Sequence, residues 1–358
     1  MGFGVSQFSI RKGRRSAAAS AYLRPARGRP NLTVKTGVHV TRIMLDRARA
    51  RGVTYQLRSG DLADAVSDRE VILCGGSFNT PQLLMLSGIG PAEHLREFDI
   101  GVVADLPVGR NLQDHMAVMN LYRRNEPGEF HRAMRFDRMA INMLRAYLLG
   151  SGLAATIPSG VLAFVKTRAE LEAPDVEFMF PIAPQRPPVW FPGIRKAYAD
   201  VFGLRPAILH PESRGDVSLR SADPFAPTRI RFNAFSAPGD IAVLREGLRI
   251  GRDVTRQKAL DHYRGAEITP GDALETDAEL DAYIRRTAVT VNHPCGTCAM
   301  GTGPEAVLDP QLKVRGIEGL RVVDASAMPD LISGHINACV TMMAEKAADM
   351  IRGRRLTS

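Results

Sequence analysis

Four cysteines, one tryptophan and no long apolar run stand out first in this 358-residue chain. Each scarcity excludes something. No stretch approaches the ~18 consecutive apolar residues of a bilayer-spanning helix, and the start, M-G-F-G-V-S-Q-F-S-I-R-K, has no apolar signal region. Neither a membrane span nor secretion is expected. Cys74, Cys295, Cys298 and Cys339 show no regular spacing, which argues against a disulfide framework and for a reducing compartment. The expected location is cytoplasmic. After Cys295 and Cys298 no second C-x2-C or H-x3-H follows, so half of a zinc motif stands without its partner and no metal is expected. A dinucleotide-binding G-x-G-x-x-G is also lacking. The near match, Gly301 to Ala306, follows a loop and puts Pro304 where a helix needs its second turn, so it is rejected. The net charge of +9 is scattered except at Arg11 to Arg15 and Arg352 to Arg355. No basic helix face is interleaved with aromatics, and nucleic-acid binding is not expected.

What is present is ordinary globular composition, 45% hydrophobic and 24% charged, in a chain long enough for two domains or one large one. Its most informative stretch is Val289 to Gly301, V-T-V-N-H-P-C-G-T-C-A-M-G. There His293 stands between β-branched residues and a Pro/Gly turn, at the end of a strand where an imidazole can reach a ligand. One reading makes it a general base or electrostatic partner, since imidazole titrates near neutrality. A second makes it a buried histidine satisfied by a backbone carbonyl. A third pairs it with Cys295 and Cys298 in a metal or redox site.

Hydrophobic patterning places strands at Asn31 to Val34, Val38 to Leu45 and Val53 to Leu57, with Asp46 to Gly52 and Ser59 to Arg69 as turns. Val71 to Cys74, ending in Gly75-Gly76, suits a buried parallel strand, and Ser77 to Leu86 a helix with Asn79, Thr80 and Pro81 at its start. A glycine-rich turn of this kind can seat a phosphate on its N–H groups. A tight loop then carries Asn111, Asp114 and His115, followed by an amphipathic helix, Arg138 to Leu149, and a Gly/Ser turn reaching to about residue 158. From Gly160 to Ala237 short strands with turn residues between them suggest an antiparallel sheet. The Pro184 to Trp190 loop reads either as the wall of a pocket or as a surface loop with an aromatic plug. Asp240 to Leu260, Asp277 to Ala288 and Ala338 to Ile351 are expected helices, and Leu320 to Val323 a buried strand closed by Asp324-Ala325-Ser326. Asn337 is expected on the loop just ahead of the last helix. There it would serve either a developing oxyanion or simply the helix N-terminus.

Together these stretches resemble the glucose–methanol–choline (GMC) family of FAD-dependent oxidoreductases, among them its choline and alcohol dehydrogenases. Gly76 to Gly90, G-S-F-N-T-P-Q-L-L-M-L-S-G-I-G, is similar to that family's second signature at every constrained position. R-P-N-L-T-V, N-L-Q-D-H, P-E-S-R-G-D-V-S-L, N-H-P-C-G-T-C-A-M-G and R-V-V-D-A-S-A-M-P follow in the family's order. The resemblance implies that His293 lies over the reactive face of FAD and shares the substrate oxygen with Asn337, with His335 as the alternative. It implies oxidation of a primary or secondary alcohol to an aldehyde or ketone by proton abstraction and hydride transfer. It further implies that Asp324 and Ala325 approach the pyrophosphate and ribityl region, that Val40 meets the adenine through its backbone, and that Gly76 and Asn111 belong to the same cofactor site. A choline-type substrate would need a cage, for which Trp190, Phe178 and Glu177 are candidates.

The chain departs from the family in two places. Leu106-Pro107-Val108-Gly109-Arg110 is one glycine short of the usual L-P-G-V-G, and the segment that carries the family's G-x-G-x-x-G is not in this sequence. The expectation is either a partner that supplies that segment, a separately encoded N-terminal half, or a truncated fragment that does not hold flavin by itself. The expected fold is α/β, with an incomplete parallel-sheet FAD-binding domain from residues 1–120 and 289–358 and an antiparallel-sheet substrate domain inserted at 121–288.

Overall fold

The computed structural model describes residues 2–155, 160–184 and 186–354. Arg355 of the C-terminal basic cluster and the end of the turn expected near residue 158 lie outside these residues. The chain forms two compact units of mixed α/β structure: Met1–Val34, Met116–Ile208 and Ile241–Val289 make one, and Lys35–His115, Leu209–Asp240 and Thr290–Ser358 the other. The units change over at 115/116 and 289/290, against the expected 120/121 and 288/289, and residues 209–240, expected within the inserted domain, belong to the second unit. Residues 2–34 differ more, because the strand Gly2–Val5 pairs antiparallel with Val161–Val165 rather than joining the layer expected for 1–120.

The first unit is built on an antiparallel sheet. Val161–Val165, Val176–Met179 and Val201–Ile208 pair in sequence, Val201–Ile208 also pairs with Asn120–Arg124, and Arg264–Thr269 extends the sheet beyond it. Ala163, Val176, Phe178 and Leu204 form a core against which Val243, Ile250 and Val254 of the helix Pro238–Thr255 pack. A fully buried side chain of this size contributes about 1.5–3 kcal/mol. Glu177 and Phe178, adjacent on one strand, point to opposite faces, and Phe178 is 2% exposed inside the core. They therefore do not form a cage with Trp190, whose indole N–H instead donates to the His131 carbonyl at 3.1 Å. The Trp190 ring lies 5.6 Å from that of His131, centre to centre. The helix Asp277–Thr287 starts where a Thr276/Glu279 capping box closes its first turn.

The second unit holds the parallel pair Val71–Leu73 and Leu320–Val322, the three-stranded antiparallel sheet His39–Asp46, Arg49–Gln56 and Leu62–Val66, and the helices Gly76–Leu86 and Ile336–Ile351. Its core gathers Ile43, Leu84, Met85, Leu95, Leu308 and Val322 from segments far apart in sequence. Several local expectations are corrected. No strand forms at Asn31 to Val34, the strand expected from Val53 begins already at Arg49 inside the expected turn, and Leu62–Val66 is a strand where a turn was expected. The hairpin needs only Arg47, at φ 53, and Ala48 to reverse. Leu62 and Val66 are 65% and 75% exposed, so backbone pairing with Arg49–Gln56 holds that strand without apolar burial, and periodicity cannot reveal it. Arg321 sits inside a fully buried strand because Glu70 accepts from its Nε at 2.6 Å and the Gln311 carbonyl from its Nη1 at 2.5 Å. Among the described residues no helix is long and apolar enough to cross a membrane.

Candidate active site

Past Thr290 the chain reverses through Asn292, at φ 65, and Gly296, at φ +91. A Cβ on Gly296 would lie 2.4 Å from the Asn111 carbonyl oxygen, so this turn and the loop carrying Asn111 meet only because the residue is glycine. Their backbones then pair. Gln113 N–H donates to the Cys295 carbonyl at 3.1 Å, and Cys295 N–H returns a bond to the Gln113 carbonyl at 3.0 Å. Asp114 fastens the other end: its carboxylate accepts from the His293 N–H at 2.9 Å and, by a short bond, from the Thr290 hydroxyl. Burial pushes the Asp114 carboxyl above the usual carboxylate range, and these same donors pull it partly back.

His293 is held in a cluster of imidazoles. Its Nδ1 lies 2.9 Å from Nδ1 of His115, a residue 1% exposed. Nε2 of His115 is 3.1 Å from the Leu209 carbonyl and 3.2 Å from the Ile332 carbonyl. On the side of the last helix, the His335 ring centre is 4.8 Å from that of His293, with the planes at 56°. His335 is the N-cap of the helix Ile336–Ile351, which starts two residues before the expected Ala338 because the buried Ile336 anchors its first turn. Asn337 therefore lies inside that turn, exposed, rather than on the preceding loop. The structure brings His293 and His335 together and puts Asn337 two residues further on. In the sequence, Gln113, Asp114 and His115 are marked only as loop and motif residues. The signal was the juxtaposition of an acid and a histidine in a tight loop, but which backbone each would grip is a matter of contacts up to 218 residues apart.

Of the residues expected around a cofactor, Val40 and Asn111 line two separate cavities. Val40 lines one of about 480 Å³ with Val38, Ile72, Cys74, Gly75 and Leu83, an apolar wall beside a glycine turn. Gly76, at φ +78, has no heavy atom within 4 Å of where a Cβ would stand, so the turn presents open backbone. Its N–H donates to Asp324 at 2.9 Å, and the same carboxylate accepts from Thr80 Oγ1 at 2.7 Å and from the Ser326 N–H at 2.8 Å. Thr80 thus ties the helix Gly76–Leu86 to Asp324, and Asn79 donates back to the Gly75 carbonyl at 3.2 Å. Ala325 opens the short turn Ala325–Ala327 that follows Asp324. Asn111 lines a separate cavity of about 470 Å³ with Arg110, Arg214, Met300 and Pro329, and its Oδ1 accepts from Arg214 Nε at 3.0 Å. An open glycine turn at a strand end beside an apolar wall fits a flat, phosphate-bearing cofactor such as FAD.

Cys295 and Cys298 are buried, and burial pushes the Cys295 thiol up to about 12 and Cys298 in the same direction. Thiols so far from ionisation are poor metal ligands and poor nucleophiles. Among the described residues no group of three His, Cys, Asp or Glu side chains is placed to hold a metal ion.

Two models of the GMC oxidoreductase family match the chain, an N-terminal one over residues 1–117 and a C-terminal one over residues 211–344. An oxygen-dependent choline dehydrogenase of Pseudomonas aeruginosa (strain LESB58) is 42% identical over 358 residues, which is 99% of this chain and 63% of that protein. One from Klebsiella pneumoniae (strain 342) is 40% identical, over 99% of this chain and 64% of its own length. The chain thus spans a little under two thirds of these relatives. Among solved structures, pyridoxine 4-oxidase from Mesorbium loti superposes with a TM-score of 0.83 at 31% identity, covering 99% of this chain and 65% of that one. A formate oxidase of Aspergillus oryzae RIB40, described for its FAD modification, matches with a TM-score of 0.83 at 28% identity over 96% of this chain and 64% of its own.

Proposed function

Since the chain belongs to the GMC oxidoreductase family, we propose that it serves FAD-dependent oxidation of a small primary or secondary alcohol to an aldehyde or ketone. The observation that carries this reading is the histidine cluster, with His293 fixed through both its backbone and its ring by Asp114 and His115. FAD, when bound, supplies the acceptor for the hydride that leaves the carbinol carbon. His293 takes the hydroxyl proton. General-base assistance of this kind is worth about 10²–10⁴ in rate. Asn337, in the first turn of the helix Ile336–Ile351, stabilises the developing alkoxide together with the positive end of the helix dipole. His335 is the alternative to Asn337 in that role.

The holding residues follow from the same reading. Val40 meets the adenine through its backbone, Ala325 offers backbone to the pyrophosphate and ribityl region, Gly76, whose N–H is already donated to Asp324, leaves open space beside it, and Asn111 belongs to the rim. Asp324 contributes by fixing the glycine turn, because its carboxylate is already engaged by Gly76, Thr80 and Ser326. Choline is the first alcohol to test, since relatives at about 40% identity carry that substrate in their names.

The test is spectroscopic. The purified protein is incubated with FAD, desalted and mixed anaerobically with choline and with aliphatic, aryl and polyol alcohols. Retained flavin absorbance that bleaches with one of them is expected, as is a rate at least about a hundredfold lower in His293→Ala. Flavin that is retained but not bleached by any alcohol refutes the assigned reaction, and a bare protein spectrum refutes the cofactor for this chain.

A further inference from the structure

We infer that His115 is a positioning residue that dictates which nitrogen of His293 is basic; the inference rests on the reading of His293 as the base. Nε2 of His115 lies within hydrogen-bond distance of two carbonyl oxygens, those of Leu209 and Ile332. Carbonyls only accept, so Nε2 carries the hydrogen of His115 and shares it between them. The neutral ring then presents a lone pair at Nδ1. Facing that lone pair at 2.9 Å is Nδ1 of His293, which must be the donor. A neutral His293 with its hydrogen on Nδ1 has its basic lone pair on Nε2.

The alternative arrangement requires a charged His115. With both its nitrogens protonated, His115 would donate from Nδ1 to Nδ1 of His293, and the hydrogen of a neutral His293 would move to Nε2, abolishing the base at that atom. Burial of His115 at 1% exposure opposes this charge. Two carbonyls from separate segments also lock the ring against a flip that would exchange its nitrogens. When Nε2 of His293 accepts a proton, the bond from its Nδ1–H to His115 persists, so the imidazolium stays oriented without a buried counter-ion on that side. The pair thus does with two imidazoles what an imidazole and a carboxylate do elsewhere: the inner group sets the tautomer of the outer one.

The experiment needs neither flavin nor alcohol in its first arm. Two-bond ¹H–¹⁵N spectra of the protein labelled at histidine nitrogen report the tautomer of each ring near neutral pH, with His293→Gln and His115→Asn assigning the two signals. Expected is the Nε2–H form for His115 and the Nδ1–H form for His293. In His115→Asn the side-chain oxygen can still accept from Nδ1, and His293 keeps its tautomer. In His115→Phe the acceptor is gone, and His293 shifts toward the Nε2–H form. A wild-type His293 already in the Nε2–H form, or one unchanged by the phenylalanine, overturns the inference. In the second arm, the holoenzyme His115→Phe loses at least about tenfold in kcat while KM moves little, and His115→Asn recovers most of the loss. Equal losses in both variants also overturn it. If the tautomers are as stated but no alcohol is oxidised, the proposed reaction fails and the assignment of His115 stands.

Discussion

Asp114 carries a charge in a place with little water, and its bonds to Thr290 and to the His293 backbone only partly offset that burial. The consequence for stability has a definite sign. A carboxyl whose folded value lies above its ordinary 3.8 binds a proton more readily in the native state than in the unfolded chain. Its contribution to stability is therefore full at low pH and declines as pH rises from the ordinary value through the raised one. Asp114→Asn keeps an acceptor for the His293 N–H and has no charge to bury. Melting temperatures recorded from pH 3 to pH 7, about the span of interest, should show a smaller decline in the variant than in the parent; parallel curves would contradict the burial argument. Single residues of this kind were only half legible. His293 stands out because its neighbours Pro294 and Gly296 mark a turn, whereas the work of Asp114 and His115 depends on segments 94 to 217 residues away.

Helix and strand meet at a buried ion pair. Arg252, on the helix Pro238–Thr255, donates from Nε to Glu267 on the strand Arg264–Thr269 at 3.1 and 3.2 Å, and from its terminal nitrogens to the carbonyls of Leu274 and Gly271. Burial raises the Glu267 carboxyl, and Arg252 pulls it back down. Removing one partner leaves a charge stranded between the elements. Arg252→Met is expected to cost about 3–5 kcal/mol, seen as a fall in the urea midpoint, whereas Arg252→Met with Glu267→Leu recovers most of it. A double variant no better than the single one would show that the pair matters for more than mutual neutralisation.

At this scale the sequence is a good guide to helices. Asp277–Thr287 announces itself by its capping box and Phe136–Leu149 by its Gly150 stop. Strands were harder. Leu62–Val66 is an edge strand without a buried face, and Arg49–Gln56 hides behind four residues that favour turns or solvent, so pairing rather than pattern decides both.

The whole molecule folds its chain back on itself: each compact unit is assembled from three separate stretches. The α/β character, the antiparallel sheet and the family resemblance were all readable, because signature motifs keep their order along the chain. What could not be read was the allegiance of residues 2–34, since a four-residue strand such as Gly2–Val5 carries no mark of the sheet it will join. The core of the second unit also seals reactive groups. Cys295 and Cys298 are sealed in the second unit, Cys74 is exposed, and Cys339 lies between these extremes. Mixed with a chromogenic disulfide, Cys74 should react first, slowed because burial of its thiol and the nearby Asp324 disfavour the thiolate, and the sealed pair only when that core opens. Their release is then a clock: its rate at increasing urea separates local breathing from global unfolding, without a probe attached or a residue changed.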